Sequence, residues 1–347
     1  MTVTLSQDTG VENKLHEERV LYQATVPILI VSSCAGGGNY SVGEALKERL
    51  AGVDPRVHHV VIEELLSKQL VRSNFGHHYW ICRRAPFMLK LTYGFPFLYL
   101  LKLTREKLFE NKGLDTLRKN LLLSEISTVI ATNHRAAFWI SSLKHRRQVQ
   151  CSLWGVVTDY RLSPGWKYLF QDQLDRLLGP VPAAEIPHSL RPKYCRINLP
   201  VSSEYSKMCS IFGDKNQVLV TGGAWGLGPL KKTVQQIRKA CPEVRLHVVC
   251  GSNEGLFCCL QRKYTNCDEV VLYRSLPSLE LLMKKCAVVI TRPGGVTMTE
   301  AYQAGRKIFL LQGQPVIEAR NMDYALRNFS ATLFSIKSFQ TWYNNEQ

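Results

Sequence analysis

The sequence predicts an α/β protein built of two parallel-sheet domains. Three observations carry this. Short apolar runs rich in Val, Ile and Leu, each of strand length, recur through the chain. Helical segments alternate with them, so strand leads to crossover and then to the next parallel strand. The alternation runs once through residues 27–199 and starts again at Gln217. At 347 residues the chain has enough length for two cores.

In the first series, residues 27–33, 57–62, 126–131 and 151–157 read as strands, and 41–50 and 135–144 as helices. A helical and aromatic region lies between the second and third strands, over residues 75–123. Residues 174–178 and 194–199 are shorter strands separated by prolines. In the second series, strands at 217–220, 244–249, 270–273, 287–290 and 307–311 alternate with helices at 229–239, 254–262 and 278–285. The expected organisation is two Rossmann-like domains, residues 21–200 and 201–335, with the boundary near 199–213. No internal repeat relates the halves, and the first 20 residues read as a polar arm.

Composition narrows the partners. Lys and Arg number 44 against 28 Asp and Glu, a net charge of +16. Solubility alone needs far less, so acidic partners are expected: anionic lipid, nucleic acid or phosphorylated small molecules. The 11 cysteines include one adjacent pair, Cys258-Cys259, and no C-x-x-C spacing. That speaks against a disulfide framework and a zinc site, and for a reducing compartment, the cytoplasm. No secretory leader is read, because the first apolar run, 27–31, is too short for one. The apolar stretch 85–103 is interrupted by Pro86, Lys90, Gly94, Pro96 and Lys102. A spanning helix needs about 20 predominantly apolar residues. The stretch therefore reads as a surface that touches a membrane.

Within it, Arg83, Arg84 and Lys90 border Phe87, Leu91, Tyr93, Phe95 and Phe97. Basic residues beside an aromatic, apolar face suit anionic headgroups and acyl chains, though a buried helix pair with solvated ends has the same pattern. Lys144-His145-Arg146-Arg147 reads as a solvated turn that adds to the same field. No nucleic-acid partner is expected, since no RNA- or DNA-binding signature is present and the aromatics cluster in apolar runs.

The segment Thr291-Arg292-Pro293-Gly294-Gly295-Val296-Thr297-Met298-Thr299-Glu300 is the most informative in the chain. It follows a buried-strand pattern and opens a helix. Glycines at such a turn let an anion approach the backbone, and the helix aims free N–H groups and a positive dipole end at it. Glu300 falls about one and a half turns into the helix, where a carboxylate can take ribose hydroxyls. Two further strand-end glycine clusters are present. One is Ala35-Gly36-Gly37-Gly38-Asn39-Tyr40, and the other is Thr221-Gly222-Gly223-Ala224-Trp225-Gly226-Leu227-Gly228. None matches a dinucleotide or P-loop fingerprint. Loops at the carboxyl ends of parallel strands are nevertheless where such folds take ligands.

These clusters carry a family resemblance, together with Val156-Val157-Thr158-Asp159 followed by Trp166, Asn198-Leu199-Pro200-Val201, and Val249-Cys250-Gly251-Ser252-Asn253. Over residues 27–328 the chain resembles GT-B glycosyltransferases of the group containing monogalactosyldiacylglycerol synthases and processive diacylglycerol glucosyltransferases. The resemblance implies two Rossmann-like parallel-sheet domains facing a cleft. It implies a UDP-sugar donor bound by the second domain and a membrane lipid acceptor such as diacylglycerol entering by the first. On this chain Gly223, Ala224, Trp225 and Gly226, with Arg292, Gly294, Gly295, Val296 and Thr297, would hold the pyrophosphate. Glu300 would hold the ribose and the backbone near Leu276 would face the base; Glu318 and Asn321 are retained from the family's last motif. The UDP-sugar is a co-substrate, and neither cofactor nor metal is implied.

The chain departs from the family at several points. Asn39 stands where the family carries a His proposed to act on the acceptor, and Asn accepts no proton at useful pH. Ile317 stands where the family carries a Gln that contacts the donor sugar. Arg292 replaces Lys, and Arg274-Ser275 replaces Gly-Phe. Relatives carry a further helix after Asn328 that packs back on the first domain, and the chain stops soon after that residue. Asp159 is the candidate general base; as a strand-end turn residue or helix cap it needs no such role. His134, also at a strand end, reads as a helix cap, a substrate contact or a catalytic group. His58-His59 and His77-His78 read as packing or surface residues. The expected protein is a cytoplasmic, peripherally membrane-associated hexosyltransferase. The alternative is a non-catalytic relative that binds nucleotide sugar or lipid.

Overall fold

The computed structural model describes residues 16–33, 37–65, 117–119, 121–122, 125–211, 213–312 and 318–345. The chain forms two compact units, the first holding one six-stranded sheet and the second another.

In the first unit the elements are β1 (Ile28–Ser32), α1 (Gly38–Ala51), β2 (Val57–Val61), β3 (Thr128–Ala131), α2 (His134–His145), β4 (Ser152–Val156), β5 (Arg176–Gly179) and β6 (Tyr194–Arg196). The sheet order is β2-β1-β3-β4-β5-β6, with every pairing parallel. Sequence explains the centre: Ile28, Leu29, Ile30 and Val31 of β1 and Val129, Ile130 and Ala131 of β3 are all buried, as strands covered on both faces must be. The order reverses between β1 and β3.

In the second unit the elements are α3 (Ser203–Lys207), β7 (Asp214–Thr221), α4 (Leu230–Ala240), β8 (Arg245–Val249), α5 (Glu254–Lys263), β9 (Val270–Tyr273), α6 (Glu280–Lys285), β10 (Cys286–Thr291), α7 (Gly295–Gln303), β11 (Lys307–Leu310), α8 (Glu318–Asn328), β12 (Thr332–Leu333) and α9 (Ile336–Asn345). The order β12-β11-β10-β7-β8-β9 is again fully parallel and reverses between β7 and β10. Leu230, Thr233, Val234 and Ile237 of α4 are buried at helical spacing and press one face onto the core. Full burial of each such aliphatic side chain is worth about 1.5–3 kcal/mol.

The structure departs from the sequence reading in four places. Residues 16–21 are helical rather than a free arm: Val20 and Leu21 are buried, and Glu17 accepts from the Asn198 N–H at 2.8 Å. The 194–199 strand stops at Arg196, where one last bond from Ile197 N–H to Gly179 O (3.0 Å) precedes the proline. The second core does not end at 335. Phe339 and Tyr343 of α9, four residues apart, are buried in that core beside α4, and the Tyr343 hydroxyl donates to Asn216 Oδ1 at 2.6 Å. Finally, α3 occupies a stretch that reads as linker. The predicted 75–123 region, including Arg83, Arg84 and Lys90, lies outside the described residues apart from 117–119 and 121–122, which are helical. Among the described residues no helix is long and apolar enough to cross a membrane.

Candidate functional site

The reversal of strand order in the second unit places the carboxyl ends of β7 and β10 side by side, with Thr221 opposite Thr291. From here the chain diverges to opposite halves of the sheet, which opens the crevice where open α/β sheets take ligands. Both glycine segments of this unit leave from that point.

After β7, the loop is held by its own backbone. Gly226 N–H bonds Gly223 O at 2.9 Å and Leu227 N–H bonds Gly222 O at 3.1 Å. Gly223 and Gly226 have φ of +72° and +56°, in the left-handed region that favours glycine. A Cβ on Gly226 would stand 1.8 Å from Cys250 O, so β8's exit loop lies directly against it. Asn253 secures that contact: its Nδ2 donates to Gly226 O at 3.0 Å while its Oδ1 caps α5 through Leu256 N–H at 3.1 Å. Ala224 O takes Ser252 N–H at 2.8 Å. Ala224 and Trp225 are half-buried on the resulting turn.

After β10, α7 begins at Gly295 with Gly294 as its cap residue, and no side chain caps it. The first N–H groups of any helix lack intrahelical partners, so Gly295, Val296 and Thr297 carry the anion-attracting end. A Cβ on Gly294 would meet nothing within 4 Å. Behind the turn, Arg292 is ion-paired with Glu318, both side chains mostly buried. Asn321, fully buried on α8, donates to Pro293 O at 3.1 Å. A Cβ on Gly228 would lie 3.2 Å from Arg292 Cδ, so the two glycine loops and α8 converge on this arginine. Ile317 lies outside the described residues.

Glu300 is 6% exposed. Burial, and secondarily the Glu280 carboxylate, push its pKa up to about 7, opposed by a hydrogen bond from Tyr205. Leu276 is half-buried in the loop after β9. That loop leads within two residues to Ser278, whose hydroxyl oxygen accepts from Glu280 N–H at 3.0 Å where α6 begins. Tyr205 is buried in the short helix α3, inside a stretch that reads as linker, and nothing in the sequence signals it. Arg274, which replaces glycine, forms a two-pronged pair with Glu254 (3.0 and 2.8 Å) and lies 3.9 Å over the Phe257 ring.

In the first unit, His134 and Asp159 follow the carboxyl ends of adjacent strands β3 and β4. Asn133, not His134, caps α2, accepting from Arg135 N–H at 2.8 Å. The half-buried His134 ring stands edge-on to Trp166 with centroids 6.4 Å apart. Trp166 is buried against Gly155 of β4. Asp159 is half-buried at a bend where no helix starts, which removes its reading as a helix cap. Asn39 is the second residue of α1. His58 is exposed, while His59 is buried and bonds Ser32 Oγ at 2.6 Å and the Glu44 carboxylate. Lys144 pairs with Asp175 at 2.6 Å, whereas Arg146 and Arg147 are exposed.

The two-sheet architecture has clear neighbours among solved structures. MurG of Acinetobacter baumannii matches with a TM-score of 0.55 at 11% identity, over 92% of this chain and 90% of that one. A variant of Os79 from O. sativa, solved in complex with UDP, matches with a TM-score of 0.58 at 12% identity, over 87% of this chain and 84% of that one. The fold is that of the GT-B glycosyltransferases. No protein-family model matches this GT-B chain. Among curated proteins, it is similar to a processive diacylglycerol beta-glucosyltransferase of Bacillus cereus (strain AH187), 26% identical over 231 residues, 62% of this chain. The match spans 58% of that relative's length.

Proposed function

We propose that the protein is a hexosyltransferase that moves a hexosyl unit from a UDP-sugar to a membrane lipid such as diacylglycerol. The observation that carries the reading is the pair of glycine loops leaving neighbouring strands β7 and β10, one of them opening the side-chain-uncapped helix α7. Such an arrangement holds a pyrophosphate and stabilises the diphosphate leaving group by preorganised N–H groups and helix dipole. The UDP in the Os79 complex and the diacylglycerol in the relative's name agree with this choice of donor and acceptor.

In this reading the 223–226 loop and residues 292–297 bind the pyrophosphate, Glu300 takes the ribose hydroxyls, and the loop at Leu276 faces the base. Arg292, held by Glu318, adds positive charge behind the phosphates. Asp159 accepts the proton of the acceptor hydroxyl, a role closed to Asn39. The net charge of +16 draws the protein to the cytoplasmic face of an anionic membrane. General-base help is worth about a hundred- to ten-thousand-fold in rate. Asp159→Asn should lose at least the lower end of that range with labelled UDP-sugar and diacylglycerol, while UDP still binds. Full turnover by the variant contradicts the role.

Asn39 and Ile317 favour a second reading, in which the chain binds these ligands and transfers nothing. It prevails if the wild type gives no transfer while the double substitution Asn39→His with Ile317→Gln does.

A further inference from the structure

The second sheet is fully parallel, so each crossover helix ends where the next strand begins, at the amino edge of the sheet. Charge follows that polarity. Helices α4, α5, α6 and α8 each carry basic residues in the last turn, Lys284 and Lys285 of α6 among them, while the first turns of α5, α6 and α8 carry an acid. Basic last turns suit the helix dipole. The dipole does not explain the apolar side chains exposed beside them. Leu281 is 77% exposed and shares a face of α6 with Lys284 and Lys285, three and four residues on, whereas Leu282 and Met283 are buried. Ile211, 41% exposed, stands in the turn before β7. Arg306 Nη1 donates to its carbonyl at 2.8 Å, and a Cβ on Gly213 would stand 2.5 Å from Cys286 O, so this turn is fixed beside the end of α6. Tyr302, in the last turn of α7, is 48% exposed, and its carbonyl takes Gly305 N–H at 3.0 Å, next to the same arginine. Asp214, exposed at the start of β7, is an acid on this side.

We propose that this amino-edge face of the second unit docks on an anionic lipid bilayer, with the basic helix ends meeting the headgroups and Leu281, Ile211 and Tyr302 reaching the boundary of the acyl chains. The apolar side chains come from three separate segments and stand beside lysines. A fluid bilayer accepts such a scatter, whereas a folded protein partner needs a contiguous and complementary patch. The proposal extends the membrane reading above to the second unit and does not depend on sugar transfer.

Sedimentation of the full chain with phosphatidylcholine vesicles, with and without phosphatidylglycerol, over a range of salt, tests this. Lys284→Gln with Lys285→Gln should weaken binding to the anionic vesicles by about tenfold or more, the scale of two basic residues lost from the surface, and flatten its salt dependence. Lys231→Gln with Lys232→Gln removes the same charge from the exposed first turn of α4, at the opposite edge of the sheet, and should cost much less. Ile211→Ser with Leu281→Ser should weaken binding several-fold and leave the salt dependence as steep as in the wild type. All six positions are exposed, and thermal melts check that each variant is folded. Equal losses in the two lysine pairs overturn the inference, because net charge alone then accounts for the attachment. Full binding by the Ile211/Leu281 variant overturns the bilayer as the occupant of this face. A wild type that does not bind anionic vesicles overturns the membrane reading and the inference with it. Wild-type attachment that persists unchanged in the Lys284/Lys285 variant overturns the inference alone.

Discussion

Burial and the neighbouring Glu280 carboxylate raise Glu300 from an ordinary carboxyl value of 4.5 to about 7. The folded state therefore holds a proton that the unfolded chain releases at lower pH. Its stabilising effect is complete below the unfolded value and is lost as pH rises through about 7. At about 1.4 kcal/mol per unit, the loss is on the order of 3 kcal/mol. Glu300→Gln keeps the shape and removes the charge. In urea unfolding it should be more stable than wild type at pH 8, match it near pH 5, and show a flatter profile between. A wild-type stability that does not fall over this window contradicts the buried-carboxyl assignment. Glu300 was legible in the sequence because the glycine turn before it fixes its place in the helix. Tyr205 was not, since one tyrosine between two apparent domains carries no periodicity. The caps show the same division. Asn133 and His134 both stand at the strand end, and only the geometry assigns the cap to Asn133.

Among the elements, the loop after β7 depends on the loop after β8. Gly226 cannot accept a side chain without displacing Cys250 O, and its φ of +56° disfavours one as well. Gly226→Ala should cost about 2 kcal/mol or more, combining backbone strain with displaced backbone. Asn253→Ala should cost about 1–2 kcal/mol, the range of a lost helix cap. Thermal or urea unfolding measures both, and wild-type stability in either variant contradicts the proposed bracing. The strands were legible because continuous Val/Ile/Leu runs mark burial on both faces, as in β10, whose Val288, Val289 and Ile290 are all buried. Helix α8 was not, because Asn321 and Ala325 are its buried residues and so narrow a face leaves no apolar period. Helix α9 carries Phe339, Trp342 and Tyr343 at helical spacing, an apolar period that lies beyond the expected end of the domain at 335.

For the whole molecule, the order of glycine turns across two α/β series made the fold legible before any single turn could identify a ligand. Spacing over hundreds of residues is far more restrictive than one loop. The acceptor side was less legible, since aromatic and basic residues compose a buried helix pair and a membrane-facing surface alike. The charge of +16 predicts attachment to anionic vesicles that weakens with salt, each basic residue near the surface contributing about 1 kcal/mol. Sedimentation with neutral and anionic liposomes should show it, and the Arg83/Arg84/Lys90 triple alanine variant should lose much of it. Equal binding to both vesicle types contradicts the electrostatic attachment.

The central claim is that the paired loops at β7 and β10 form a uridine-nucleotide site with Glu300 as its ribose acceptor. Titration of UDP into the wild type and into Glu300→Ala by calorimetry at pH 8, where the carboxylate is ionised, tests it most directly. Saturable binding that falls by about 1–3 kcal/mol in the folded variant is the predicted result, the scale of lost hydrogen bonds to a charged group. Absence of UDP binding by the wild type, or equal affinity in the variant, would contradict it.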